Sequence, residues 1–215
     1  MDISGIKVID AMVMENPPRV LAKPHSRRAA EVDGLFHDFA ERSTRGSTTE
    51  EMIAEMREMG IEKGILEVAT THHEDYDQDS GIQAVRKYPE VFVPYASDFS
   101  VNPKDGMLAV RRLELLVKKY GAKLLHIMSS RIGAPPSDKM FYPLFAKCIE
   151  LDIPVTLNVG IPGPNYPARF QDPIHIDEIC WFFPELKVVM THGGEPWQFM
   201  CVKLMLKWPN LYYMT

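Results

Sequence analysis

Seven short apolar runs recur along the chain, and six longer segments with apolar residues near every third or fourth position lie between them. The runs are KVIDAMVM (7–14), KGILEVA (63–69), VFVPYASD (91–98), AKLLHIMS (122–129), IPVTLNVG (153–160), KVVMTHGG (187–194) and LYYMT (211–215). They are rich in Val, Ile, Leu and Met rather than strictly alternating, the pattern of strands buried on both faces. The longer segments, such as STTEEMIAEMREMG (47–60) and DGMLAVRRLELLVKKYG (105–121), have the period of amphipathic helices. The first of these opens on Ser47, Thr48 and Thr49 with acidic residues following, and closes on Gly60. These are an N-terminal and a C-terminal helix signal. Strands alternating with helices predict an α/β fold with a parallel sheet covered by helices. An open doubly wound sheet and a closed (β/α)8 TIM barrel both satisfy the pattern. No G-x-G-x-x-G follows the first strand, which counts against a dinucleotide-binding sheet. A closed barrel needs eight strands. With seven counted and the last ending on Thr215, the expectation is a single barrel domain over 1–215 whose final strand and helix lie beyond it.

Charge and composition narrow the function. A formal net charge of -5, with no basic stripe interleaved with aromatics, argues against nucleic-acid binding. The local group Lys23, His25, Arg27 and Arg28 reads as a solvated loop face. No apolar run reaches the roughly 18 residues a membrane span needs. The three cysteines, Cys148, Cys180 and Cys201, each fall in a helical pattern and form no metal knuckle. They read as buried, reduced thiols. With no secretory leader ahead of MDISGIKVID, the expected location is cytoplasmic. The strandless stretch 15–46 reads as a lid or an oligomer contact.

THGGEPW (191–197) is the sharpest motif. In the order ELDIPVTLNVG, FPELKVVMTHGGEPWQFM, KWPNLYYMT, and with VIDAMVM, MREMGIEKGIL and FYPLFAKCIELDIPV upstream, the chain resembles the amidohydrolase-related (amidohydrolase 2) family. That family of metal-dependent hydrolases and decarboxylases includes aminocarboxymuconate semialdehyde decarboxylase. The resemblance implies a distorted (β/α)8 barrel, a divalent metal such as zinc, and a hydrolase or carboxy-lyase acting on a small organic acid or amide. Where the family has I-D-x-H-x-H, this chain has Met12 and Met14, and where the fifth strand supplies a histidine it has Asn158. A neutral thioether is a poor ligand for a hard or borderline cation, and an amide oxygen suits calcium better than zinc. The expectation is therefore no metal cofactor, with the two methionines as apolar filler. Only His192 remains among the motif positions, and in the decarboxylase branch the resemblance implies that it holds metal-bound water.

His192 at the end of the sixth strand is the candidate catalytic residue, since a neutral imidazole can act as a base near pH 7. Asn158, His126, Trp197 and Arg169 are candidate substrate-binding residues, the last in the stiff loop NVGIPGPNYPARF. His72 and His73 lie in a wet loop, and Asp10 is expected to make a structural hydrogen bond. Two readings stay open. One is an enzyme working without the family's metal on a small-molecule substrate. The other is a non-catalytic barrel serving a protein partner as an accessory, assembly or scaffold subunit. A homo-oligomer is expected.

Overall fold

The computed structural model describes residues 7–14, 45–70 and 76–214. His72, His73, the group at 23–28 and nearly all of the 15–46 stretch lie outside the described residues. The chain divides into two compact units, Met1–Tyr95 and Ala96–Thr215.

In the first unit, β1 (Val8–Val13), β2 (Ile61–Glu67) and the start of β3 (Phe92–Ser97) pair in parallel in chain order. Helix α1 (Thr49–Glu58) begins where the sequence says it should. The Thr48 hydroxyl accepts from Glu51 N at 3.1 Å, and the Glu51 carboxylate accepts from Thr48 N at 2.8 Å. This reciprocal capping box satisfies two of the donors a helix start leaves unpaired. Gly60, at φ 74°, follows the helix end. Helix α2 (Ser80–Lys87) is capped by Asp79, whose carboxylate also accepts from Ala69 N at 2.9 Å just past β2. Val13, Met56, Leu66, Ala84, Val91 and Phe92 form the apolar core of this unit.

Strand β1 is less regular than its sequence suggests. Asp10 pairs with Gly64 and Val13 with Leu66, so three residue steps on β1 oppose two on β2. The Asp10 carboxylate accepts from Met12 N at 3.0 Å within this irregularity, a structural hydrogen bond of the kind expected of it.

The second unit takes the end of β3 and adds β4 (Leu125–Ile127), β5 (Val155–Asn158), β6 (Val188–Thr191) and β7 (Leu211–Tyr213), all parallel and in chain order. Its helices are α3 (Met107–Tyr120), α4 (Ser129–Ile132), α5 (Tyr142–Glu150), α6 (Ile174–Phe182) and α7 (Gln198–Lys207). Leu113 and Leu116 of α3, Phe145 of α5, and Val155 and Leu157 of β5 are buried in the core. Cys148, Cys180 and Cys201 are free and buried in α5, α6 and α7, and burial raises each thiol above its usual range. Among the described residues, no helix is long and apolar enough to cross a membrane.

Two expected strands are shortened for a local reason. The run 122–129 is extended only over Leu125–Ile127, because Ser129 already begins the single turn α4. The run 187–194 stops at Thr191, because His192, Gly193 and Gly194 all take positive φ.

At Gly64 on β2, side chains of β1 and α1 occupy the space a Cβ would take. A Cβ there would stand 2.6 Å from Val13 Cγ2 and 3.1 Å from Met56 Cε. Gly64→Ala is expected to cost about 1–3 kcal/mol by overpacking. Equilibrium denaturation should show that penalty shrinking when the substitution is made on a Val13→Ala background.

Candidate functional site

Register assembles the site. In the second unit His126 on β4 lies opposite Thr156 on β5, and Asn158 on β5 lies opposite Thr191 on β6. Thr156 and Asn158 are two residues apart and so share one face of the strand. His126 Nδ1 and Thr156 Oγ1 are 2.8 Å apart, and Thr191 Oγ1 donates to Asn158 Oδ1 at 3.2 Å. All four residues are buried. Ends of parallel strands on this edge are where α/β barrels present reactive groups.

Alternation alone would send His192 to the face opposite Thr191. Its φ of 69° breaks that alternation, and its ring lies edge-on to His126 with centroids 6.5 Å apart. The following residues let the chain turn tightly. A Cβ on Gly160 would fall 2.9 Å from the backbone of Gly194 and Glu195, and one on Gly194 would fall 2.6 Å from Cys201 Sγ. Both glycines have positive φ. Ile161 N donates to Glu195 O at 2.8 Å, tying the loop after β5 to the loop after β6. The Glu195–Pro196 peptide is cis.

Beside the histidines lies an ion pair with no sequence motif to announce it. Asp98, just past β3, accepts from Arg131 Nε at 2.9 Å and from Arg131 Nη2 at 2.7 Å. The Asp98 side chain is 1% exposed and that of Arg131 17%. The guanidinium sits 3.7 Å above the Phe99 ring, and Met128 N donates to Asp98 Oδ1 at 3.3 Å. An aspartate at the end of a barrel strand is the one signal that marks this pair in advance.

Both imidazoles are kept neutral. Burial, the largest cause, pushes His126 down to about 4, against the opposing pull of Asp98. His192 is more exposed, and what desolvation it has lowers it below the usual 6.5. The pair therefore presents one enclosed neutral ring and one solvent-reachable neutral ring, and the latter can take up a proton from a bound molecule.

The remaining candidates are more dispersed. Trp197 is half-buried ahead of α7, where its N–H donates to Gly194 O at 2.6 Å. Arg169 is exposed, with its guanidinium 4.6 Å over the neighbouring Phe170 ring. Asn158 spends its amide oxygen on Thr191.

Comparison with known proteins places the fold. The chain is similar to a TIM-barrel protein from Bordetella bronchiseptica, at 26% identity over 97% of this chain and 74% of that one, with a TM-score of 0.69. It also resembles in fold the 5-carboxyvanillate decarboxylases of Sphingomonas paucimobilis (16% identity, 94% of this chain, 72% of that one, TM-score 0.64) and Novosphingobium aromaticivorans. The latter, complexed with manganese and 4-hydroxy-3-methoxy-5-nitrobenzoic acid, matches at 19% identity over 94% of this chain and 70% of that one, with a TM-score of 0.63. No curated protein matches the chain. The fold class is thus the (β/α) TIM barrel. Residues 31–215 match the amidohydrolase family model, and the chain belongs to that family.

Three of the positions at which the resemblance implied metal ligands carry side chains that are poor donors for a hard or borderline cation. Met12 and Met14 offer thioethers, with Met14 47% exposed, and the Asn158 oxygen is already bonded to Thr191. Among the described residues, no three His, Cys, Asp or Glu side chains come together as a set that could hold an ion.

The neutral His126 links stability to pH. Its native value is lower than the unfolded 6.5, so the unfolded chain binds the extra proton and stability falls as pH drops from about 6.5 towards 4. Between pH 7 and 5 the protein should lose about 2 kcal/mol from this group. Urea unfolding at the two pH values should show the loss, and His126→Gln should largely remove it.

Proposed function

We propose that this amidohydrolase-family barrel acts on a small organic acid or amide, as a hydrolase or carboxy-lyase that works without the family's resident metal. The observation that carries this reading is the edge-on pair of neutral imidazoles, His126 and His192, at the ends of β4 and β6. His192 serves as the acid–base group because it is the reachable member of the pair. His126 and Thr156 form the wall behind it, and the remaining amide donors of Asn158 orient a polar substrate group. Trp197, half-buried ahead of α7, and the exposed Arg169 in the loop after β5 are the further substrate contacts of this reading, the latter for a carboxylate.

Aromatic and small aliphatic carboxylic acids, 5-carboxyvanillate among them, are the first compounds to assay, together with simple amides. His192→Asn suits the test because asparagine tolerates the left-handed backbone found there. It should lower kcat/KM by about 100-fold or more while leaving the melting temperature nearly unchanged. In the native protein, activity should be full at neutral pH and fall as acid protonates His192, with its midpoint below 6.5. Unchanged turnover in His192→Asn rules this reading out.

Metal content offers a separate check. After incubation with manganese or zinc and gel filtration, elemental analysis should find far less than one equivalent per chain. A stoichiometric ion would overturn the ligand argument.

A second reading, a non-catalytic barrel that binds a protein partner or another copy of itself, is favoured by exposed apolar side chains on α6 and α7. Phe199 is 91% exposed and Leu206 74%, and Trp181 and Phe182 are also exposed. Such residues are commonly covered in an assembly. Light scattering that returns a monomer, with no partner at fixed ratio on purification, counts against it.

A further inference from the structure

We propose that Arg131 is a positioning residue for the imidazole pair, holding the Asp98 carboxylate so that it pairs with the guanidinium rather than with His126. The inference rests on the reading of His192 as an acid–base group beside a neutral neighbour.

Asp98 is fastened to the strand segment that bears His126, because its own N–H donates to the His126 carbonyl at 3.0 Å. A carboxylate this deeply buried is costly unless a cation and hydrogen-bond donors meet it. Among the described residues, two groups in its neighbourhood could supply the positive charge, the Arg131 guanidinium or a protonated His126. The geometry gives it to Arg131. Two parallel N–H···O bonds of 2.9 and 2.7 Å engage both carboxylate oxygens, the Phe99 ring supports the guanidinium from below, and Met128 N adds a third donor. Arginine is suited to this role because its planar fork matches a carboxylate at two points, whereas a lysine offers a single point charge.

The groups that bear on His126 make the consequence specific. Asp98 favours its protonated form, Arg131 and His192 oppose it, burial opposes it most, and the Thr156 hydroxyl on β5 meets Nδ1. Remove Arg131, and among the described residues His126 is the nearby group able to become a counterion for the buried Asp98. His126 would then take up a proton more readily.

The test is an NMR pH titration of the imidazole signals of the full chain, with the two resonances assigned through His126→Gln and His192→Asn. In Arg131→Met the His126 midpoint should rise by about one pH unit or more. In Asp98→Asn/Arg131→Met, which removes the charge together with its counterion, it should return to the native range. A midpoint unmoved in folded Arg131→Met overturns the proposal. So does a raised midpoint that persists in the double variant, since that reports general loosening of the site. Should Arg131→Met fail to fold, Arg131→Lys keeps the charge but loses the fork. A smaller rise there supports the proposal, and no rise overturns it. The readout is an imidazole signal rather than turnover, so this result stands apart from the outcome for His192 as a catalyst.

Discussion

The parallel register of β4, β5 and β6 is the constraint on which the site depends. Backbone ladders fix His126 opposite Thr156 and Asn158 opposite Thr191, and each of these cross-strand pairs also closes a side-chain hydrogen bond. A slip of one residue in any of these strands would send its side chains to the other face. The polar groups of this edge are thus held by cross-strand hydrogen bonds beside those that build the sheet. Apolar packing behind them, from Leu125, Ile127, Val155 and Leu157, fixes that register from the opposite face.

Electrostatics then follows from enclosure. Burial makes charge expensive, so each titratable group here must be neutral or paired. His126 takes the first course, and Asp98 takes the second with Arg131. These two choices are linked, because they involve neighbouring groups of opposite tendency. His192 escapes the full penalty by lying beyond the end of β6, and the burial it does have lowers its pKa.

Much of this was legible in the sequence. All seven strands and the helical periodicity between them were visible, because buried parallel strands read as apolar runs and because Thr48, Glu51 and Gly60 are chemical signals that act locally. His192 and Asn158 could be placed because a motif fixed their positions at strand ends. The orientation of the His192 ring could not. It depends on a left-handed backbone that single-residue patterns do not encode at a histidine. The irregular register at Asp10–Val13 likewise arises only when β1 meets β2. The Asp98–Arg131 pair is separated by 33 residues and exists only because the end of β3 and the turn after β4 come together in space. Composition and period contain nothing of that kind.

Family membership settles the scaffold, and the chemistry has to be argued from the side chains this chain carries. At the positions where the family resemblance led one to expect imidazole nitrogen, the donors are two thioether sulfurs and one amide oxygen. Sulfur of that kind binds hard cations weakly because it is neutral and soft, and the amide oxygen is engaged by Thr191. A cation at Asn158 would have to displace that hydrogen bond. Proton transfer, the role proposed for His192, asks less. It requires one reachable imidazole held in its neutral form, with a fixed neighbour behind it, and the ends of β4, β5 and β6 hold such an arrangement in register.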